Sequence, residues 1–152
     1  MSELTITEKP LPSVRLGALS ESVSSQPEVA PVVGPLFDRV AETLIASGAE
    51  LGVPVAAYEM DESGVGITVG FIYDGPELDG IDIVELPAAA SALTAVHHGV
   101  MATIDQSWDA VFTTIGDRGL RAHGACREVY LTSESEDQID WVTELQQPVV
   151  AP

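Results

Sequence analysis

The 152-residue sequence is short of three things: it has one cysteine, only six basic side chains against 24 acidic ones, and few aromatics (5%). A lone thiol, Cys126, leaves no internal disulfide and no sign of an oxidising compartment. The scarcity of Lys and Arg, with a formal net charge of -18, argues against direct binding to nucleic acid, whose affinity comes largely from cations displacing counterions at phosphates. The same negative field attracts cationic ligands, although many of the carboxylates serve only to keep the surface solvated. No apolar run approaches the roughly 18 residues of a membrane span, and Met1 to Glu8 has neither the basic nor the apolar region of a secretory leader. The expected location is the cytoplasm, with no membrane partner. A phosphate-cradling glycine loop is missing, because Gly64 and Gly66 precede a strand and lack a following lysine. His97 and His98 are neighbours on a strand and point to opposite faces, and His123 has no acidic or thiol partner at ligand spacing. No metal and no cofactor is expected.

What is present is a hydrophobic fraction of 45%, enough to bury a core in one domain spanning residues 1–152. Leu4 and Ile6, then Val14, Leu16 and Ala18, alternate as two strands, with residues 20–31 read as a polar loop. Val33, Phe37, Val40 and Leu44, with Leu36, form the stripe of a helix that ends at Ser47-Gly48. Residues 53–60 and the alternating Val65, Ile67, Val69, Phe71 and Tyr73 make a hairpin. After the turn-rich stretch 74–80 the order repeats. Ile81 to Glu85 and Leu93 to His98 are strands, and Thr103 to Gln106 has the pattern of a capping box. It opens a helix carrying Ile104, Trp108, Val111, Phe112 and Ile115 on one stripe, which reads as core. Strands follow at 124–132 and 139–147, with Pro148 starting a tail.

The chain thus gives strand, strand, helix, strand, strand twice, an internal duplication with repeats at 3–74 and 80–149. The expected class is α+β: a continuous antiparallel sheet with two helices packed on one face and a ligand cleft on the other.

The stretch around Glu128 carries the chemistry. Period-two reading puts Cys126, Glu128 and Tyr130 on one face and Val129 and Leu131 on the other, which is taken as the oily face. Two readings are open: Glu128 offers a single charge inside an apolar pocket, or it lies on a solvated sheet face. Cys126 reads as a buried structural thiol, since no third group is available to orient it as a nucleophile.

Val84-Glu85-Leu86-Pro87, Val96-His97-His98-Gly99, Ser107-Trp108-Asp109-Ala110-Val111-Phe112, Arg127-Glu128-Val129-Tyr130, Trp141-Val142-Thr143-Glu144-Leu145 and Pro148-Val149 occur in an order and at a spacing that resemble the GyrI-like family. These are small-molecule-binding domains of the duplicated SHS2 type, also found as effector-binding parts of MerR-type and AraC-type multidrug regulators. The resemblance implies a pocket between two similar modules, with a buried glutamate on the strand after the second helix meeting a lipophilic cation. That position falls on Glu128, and Trp141 on the last strand would line the same pocket. Tyr130, Cys126, Trp108 and Met101 are further lining candidates, as are Tyr58, Phe71 and Tyr73 from the first half. Many relatives have proline and tyrosine after the His97-His98-Gly99 position, whereas this chain has Val100 and Met101, so that corner is altered. No helix-turn-helix segment precedes the domain, so a transcription regulator working by itself is not expected.

Three functions from different classes are carried forward. The first is binding of a small hydrophobic, cationic molecule, for sensing or sequestration, with Glu128 as counter-charge and aromatic cation-π contacts. The second is hydrolysis of cyclopropane-containing or similar reactive natural products, with Glu128 and Tyr130 activating water or protonating the leaving group. The third is an acidic protein-interaction module that inhibits gyrase. Any protein partner is unknown.

Overall fold

The computed structural model describes residues 4–152. It contains nine strands and two α-helices: β1 Ile6–Leu11, β2 Val14–Val23, α1 Val29–Ala46, β3 Pro54–Asp61, β4 Gly64–Ile72, β5 Asp82–Leu86, β6 Ala89–His98, α2 Ile104–Asp117, β7 Arg121–Ala122, β8 Cys126–Thr132 and β9 Val142–Val150. Strand, strand, helix, strand, strand occurs twice, with the two-residue β7 added in the second pass. The class is α+β.

Two compact units form. One comprises Ser13–Pro87; the other comprises the described part of Met1–Pro12 together with Ala88–Pro152. In the first, the strands run β3-β4-β2-β5, and all three pairings are antiparallel. In the second they run β1-β6-β9-β8, again antiparallel, and β7 pairs with the end of β9. Each unit therefore takes one strand from the opposite sequence repeat: β5 pairs with β2, and β1 pairs with β6.

In the Ser13–Pro87 unit, α1 lays Val40 and Leu44 against Phe71, Tyr73 and Ile81, and Phe37 meets Phe71 edge-to-face at 5.7 Å. The helix begins earlier than the apolar stripe predicts. A 3-10 turn at Gln26–Glu28 leads straight into Val29, and β2 runs on to Val23, so 20–31 is mostly regular structure. Pro31 lies in the first turn, where its missing amide costs nothing, and a buried Val29 anchors the start. Gly70 stands where β4 crosses Gly17 of β2; a Cβ there would strike the Gly17 carbonyl oxygen, which is why the strand carries a glycine among β-branched residues.

In the other unit, α2 packs Val111 and Ile115 on Leu93, Ala95, Leu145 and Val149. The helix ends at Gly119, whose φ of 68° is the left-handed conformation suited to glycine. Three expectations are corrected here. The capping box does not form: Thr103 makes no side-chain cap, and its hydroxyl instead donates to the Val100 carbonyl at 3.2 Å. The short 3-10 turn at Met101–Thr103 holds Thr103 outside the extended conformation that a capping side chain requires. The last strand begins at Val142 rather than Ile139, because residues 133–141 form side-chain-closed turns, including Gln138 at φ 63°. It also runs through Pro148, which pairs with Ala92, so Pro148 is not the start of a tail.

Candidate functional site

Register decides what Glu128 faces. On β9, Leu145 stands opposite both Ala95 of β6 and Glu128 of β8, while Thr143 stands opposite both His97 and Tyr130. Directly opposed residues project to the same side of a sheet. Leu145 and Ala95 belong to the core under α2, so Glu128, Tyr130, Thr143 and His97 share the helix-covered face.

This overturns the sequence-based assignment of faces. Leu131 is 55% exposed, whereas Glu128 is 6% exposed and Cys126 and Tyr130 are also buried. The solvated reading of Glu128 is therefore incorrect. So is its placement away from the oily side and from the helix. The physical reason is collective: the apolar row of β6 and β9 has to meet α2, and antiparallel register then carries Cys126, Glu128 and Tyr130 of β8 inward with it, up to the register shift before Thr132.

The carboxylate has a partner for each oxygen. Tyr130 donates its hydroxyl to Oε1 at 2.6 Å, and Trp108 donates its indole N–H to Oε2 at 2.8 Å. Bonds to a charged acceptor contribute about 1.5–3 kcal/mol each, against a desolvation penalty of several kcal/mol for a buried ion. Desolvation wins. Burial pushes the Glu128 carboxyl above the ordinary glutamate value, with the hydrogen bonds from Tyr130 and Trp108 and the electrostatic influence of nearby His97 pulling the other way. Among the described residues no Lys or Arg is ion-paired with Glu128; the ion pairs found are Lys9 with Glu144 and Arg118 with Glu8.

Around this centre the structure gathers further candidates. The Trp141 ring meets Tyr130 at 6.3 Å, edge-on. Trp141 stands just before β9 rather than on it, fixed by its indole N–H to the Ser135 carbonyl at 2.7 Å and by its backbone carbonyl to Gly99. Met101 is half-buried; its sulfur accepts weakly from Thr143 at 3.9 Å, and its backbone N–H donates to Gln138 Oε1 at 2.8 Å. Trp108, read from the sequence chiefly as core, has both roles: it packs on the α2 cluster, stacks with Phe112 at 5.7 Å and bonds the acid. Tyr58, Phe71 and Tyr73 belong to the Ser13–Pro87 unit. There Phe71 and Tyr73 are core residues, and Tyr58 shares the side of the sheet that carries Ile67. Tyr73 closes its own loop by donating to the Pro76 carbonyl at 2.7 Å.

His97 is the residue that sequence reasoning missed. It is buried, while His98 beside it is exposed. Its Nε2 lies 2.9 Å from the Val100 carbonyl and its Nδ1 2.8 Å from Ser107 Oγ. The signal was available, since Leu93, Ala95 and His97 alternate on one face. His97 and Ser107 also line a groove of about 730 Å³ within this unit, together with Thr94, Thr103, Gln106 and Lys9. Among the described residues, no group of three or more His, Cys, Asp or Glu side chains could hold a metal ion, and no helix is long and apolar enough to cross a membrane.

No family model and no curated protein matches the sequence. Solved structures do match. The C-terminal domain of EcmrR superposes with a TM-score of 0.73 at 16% identity, covering 98% of this chain and 99% of that domain. The fold is that of the GyrI-like effector-binding domains. In a complex of EcmrR with DNA, this chain spans 58% of the EcmrR chain, at 19% identity and a TM-score of 0.74. SAV2435 bound to tetraphenylphosphonium matches with a TM-score of 0.65 and 14% identity, over 98% of this chain and 94% of that one. A hydrolase from Listeria innocua matches with a TM-score of 0.62 and 14% identity, over 95% and 91%. The fold is thus shared with a protein bound to tetraphenylphosphonium and with one described as a hydrolase.

Proposed function

We propose that the protein binds a lipophilic cation, with the Glu128 carboxylate as counter-charge and Trp108, Tyr130 and Trp141 as aromatic contacts. The observation that carries this reading is a buried carboxylate held by two neutral donors: both oxygens are oriented, yet the charge stays uncompensated by any ion-paired Lys or Arg among the described residues. A permanent cation supplies what is missing, and each ring it contacts adds up to about 2 kcal/mol once water is excluded. The net charge of -18 raises the local concentration of such ligands. SAV2435, with the same fold, binds tetraphenylphosphonium. The test is a titration of tetraphenylphosphonium against wild type and Glu128→Gln. Glutamine keeps the shape and can still accept from Trp108 while donating to Tyr130, so only charge is removed. Affinity should fall by about tenfold or more; equal affinity defeats the counter-charge role.

A second reading is supported by the short Tyr130 to Glu128 bond and the upward shift of the carboxyl. A carboxyl whose burial favours the protonated form is suited to general-acid work, and Listeria innocua hydrolases share the fold. In this reading Glu128 and Tyr130 open a strained ring in a cyclopropane-containing alkylator by protonating it as water adds. Formation of a water adduct that disappears in both Glu128→Gln and Tyr130→Phe would favour it over simple binding.

A further inference from the structure

Trp108 reaches Glu128 from the first turns of α2, and nothing at the start of that helix is held by a side-chain cap. His97 bonds to the chain on either side of that start. A carbonyl oxygen only accepts, so the 2.9 Å contact with Val100 requires the proton on Nε2. In the neutral ring Nδ1 is then the acceptor, and Ser107 Oγ–H donates to it at 2.8 Å. Ser107 is therefore turned away from the helix carbonyl to which a helical serine usually back-bonds. One buried imidazole ties β6 to both ends of the segment that enters α2: Val100 before the 3-10 turn and Ser107 after it. The next residue is Trp108.

We propose that His97 is a positioning residue for the Glu128 site: by bridging Val100 and Ser107 it sets the rotation of the first α2 turn and so aims the Trp108 indole N–H at Glu128 Oε2. This rests on the reading of Glu128 as the ligand's counter-charge only for its effect on binding; the geometric claim stands without it. The other donor to the same carboxylate is Tyr130, from β8. Without the bridge, Trp108 loses its fixed direction and Glu128 keeps one donor.

The chain has two tryptophans, so a nitrogen-15 spectrum of the full protein shows two indole N–H signals, distinguished by Trp141→Phe. In His97→Phe, which fills the space without hydrogen bonds, and in the milder Ser107→Ala, the Trp108 indole N–H should exchange with solvent about five- to tenfold faster, the equivalent of one lost hydrogen bond. The Trp141 signal, held by Ser135, should not change. His97→Gln, which retains a donor and an acceptor, should restore slow exchange. If Trp108 exchange is unaltered in Ser107→Ala, or if both indoles accelerate alike, the positioning role is wrong. Tetraphenylphosphonium affinity gives the second readout: His97→Phe should weaken it several-fold in the native background and not at all in Trp108→Phe. An equal loss in both backgrounds also overturns the proposal. Should wild type fail to bind tetraphenylphosphonium, the counter-charge reading falls, and the indole exchange alone decides the role of His97.

Discussion

Replacing Tyr130 by phenylalanine removes one oxygen atom from a buried ring and leaves its packing in place. That oxygen donates to Glu128 Oε1 at 2.6 Å, inside a face where both residues are almost fully covered. Burial keeps bulk solvent from replacing a donor lost there, so the loss should approach the upper part of the range for a bond to a charged group, about 2 kcal/mol at pH 7.5. The cost should depend on charge. Glu128 has a folded-state value above its ordinary one because burial disfavours the anion, and Tyr130 is the first of the groups holding it down. Such a group binds its proton more tightly in the folded than in the unfolded chain, so its contribution to stability is greatest in acid and declines as pH rises through the window between the two values. Deleting the hydroxyl lifts the folded value further and steepens that decline. Tyr130→Phe should therefore lose the full charged bond above the window and only about 1 kcal/mol, the worth of a neutral bond, at about pH 4, where the carboxyl is largely protonated. Carboxyls held low by local hydrogen bonds, Glu28 and Asp61, lose their contribution on acidification in both proteins, and their effect cancels in the difference. Urea unfolding at the two pH values supplies the measurement, and the same substitution in Glu128→Gln should cost only about 1 kcal/mol. A penalty identical at pH 4 and 7.5, or one below about 0.5 kcal/mol throughout, would refute the account of Glu128 as a buried, hydrogen-bonded anion.

Because Thr103 caps nothing, Thr103→Ala should change stability by less than about 0.5 kcal/mol, against roughly 1 kcal/mol for loss of a working N-cap; thermal melts decide. Leu145→Ala empties a fully buried position between Ala95 and Glu128 and should cost about 2–5 kcal/mol in chemical denaturation. Lys9→Met breaks an ion pair whose lysine is 43% exposed, and should cost under about 1 kcal/mol in low salt and less in high salt.

The duplicated order of elements was legible because amphipathic periods and glycine stops are local signals. Val40, Leu44, Val111 and Ile115 face the core as their spacing requires. Glu128 was legible as chemically special, and its burial as what the family resemblance implied, but not the face it takes: its strand alternates two sets of similar weight, Cys126, Glu128 and Tyr130 against Val129 and Leu131, and the choice between them is made by β9 and α2. Trp141 was identified but placed one element too late, since the hydrogen bonds that end the loop run from Trp141 to Gln138 and Ser135 and leave no hydrophobic pattern. His97 was dismissed as a metal ligand on correct parity. The same parity, carried one step further, puts it in line with Leu93 and Ala95. The exchange of β1 and β5 between repeats has no sequence signature, because strand pairing partners are chosen by topology rather than by composition.

That exchange has a consequence during synthesis. The Ser13–Pro87 unit is contiguous, and every strand it needs has left the ribosome once Leu86 emerges. Strand β1, made first, has its partner β6 some 80 residues later and the sheet's remaining strands only at the very end of the chain. Translation therefore completes the Ser13–Pro87 unit before the partners of β1 exist, and the first of these strands to be made is among the last to be paired.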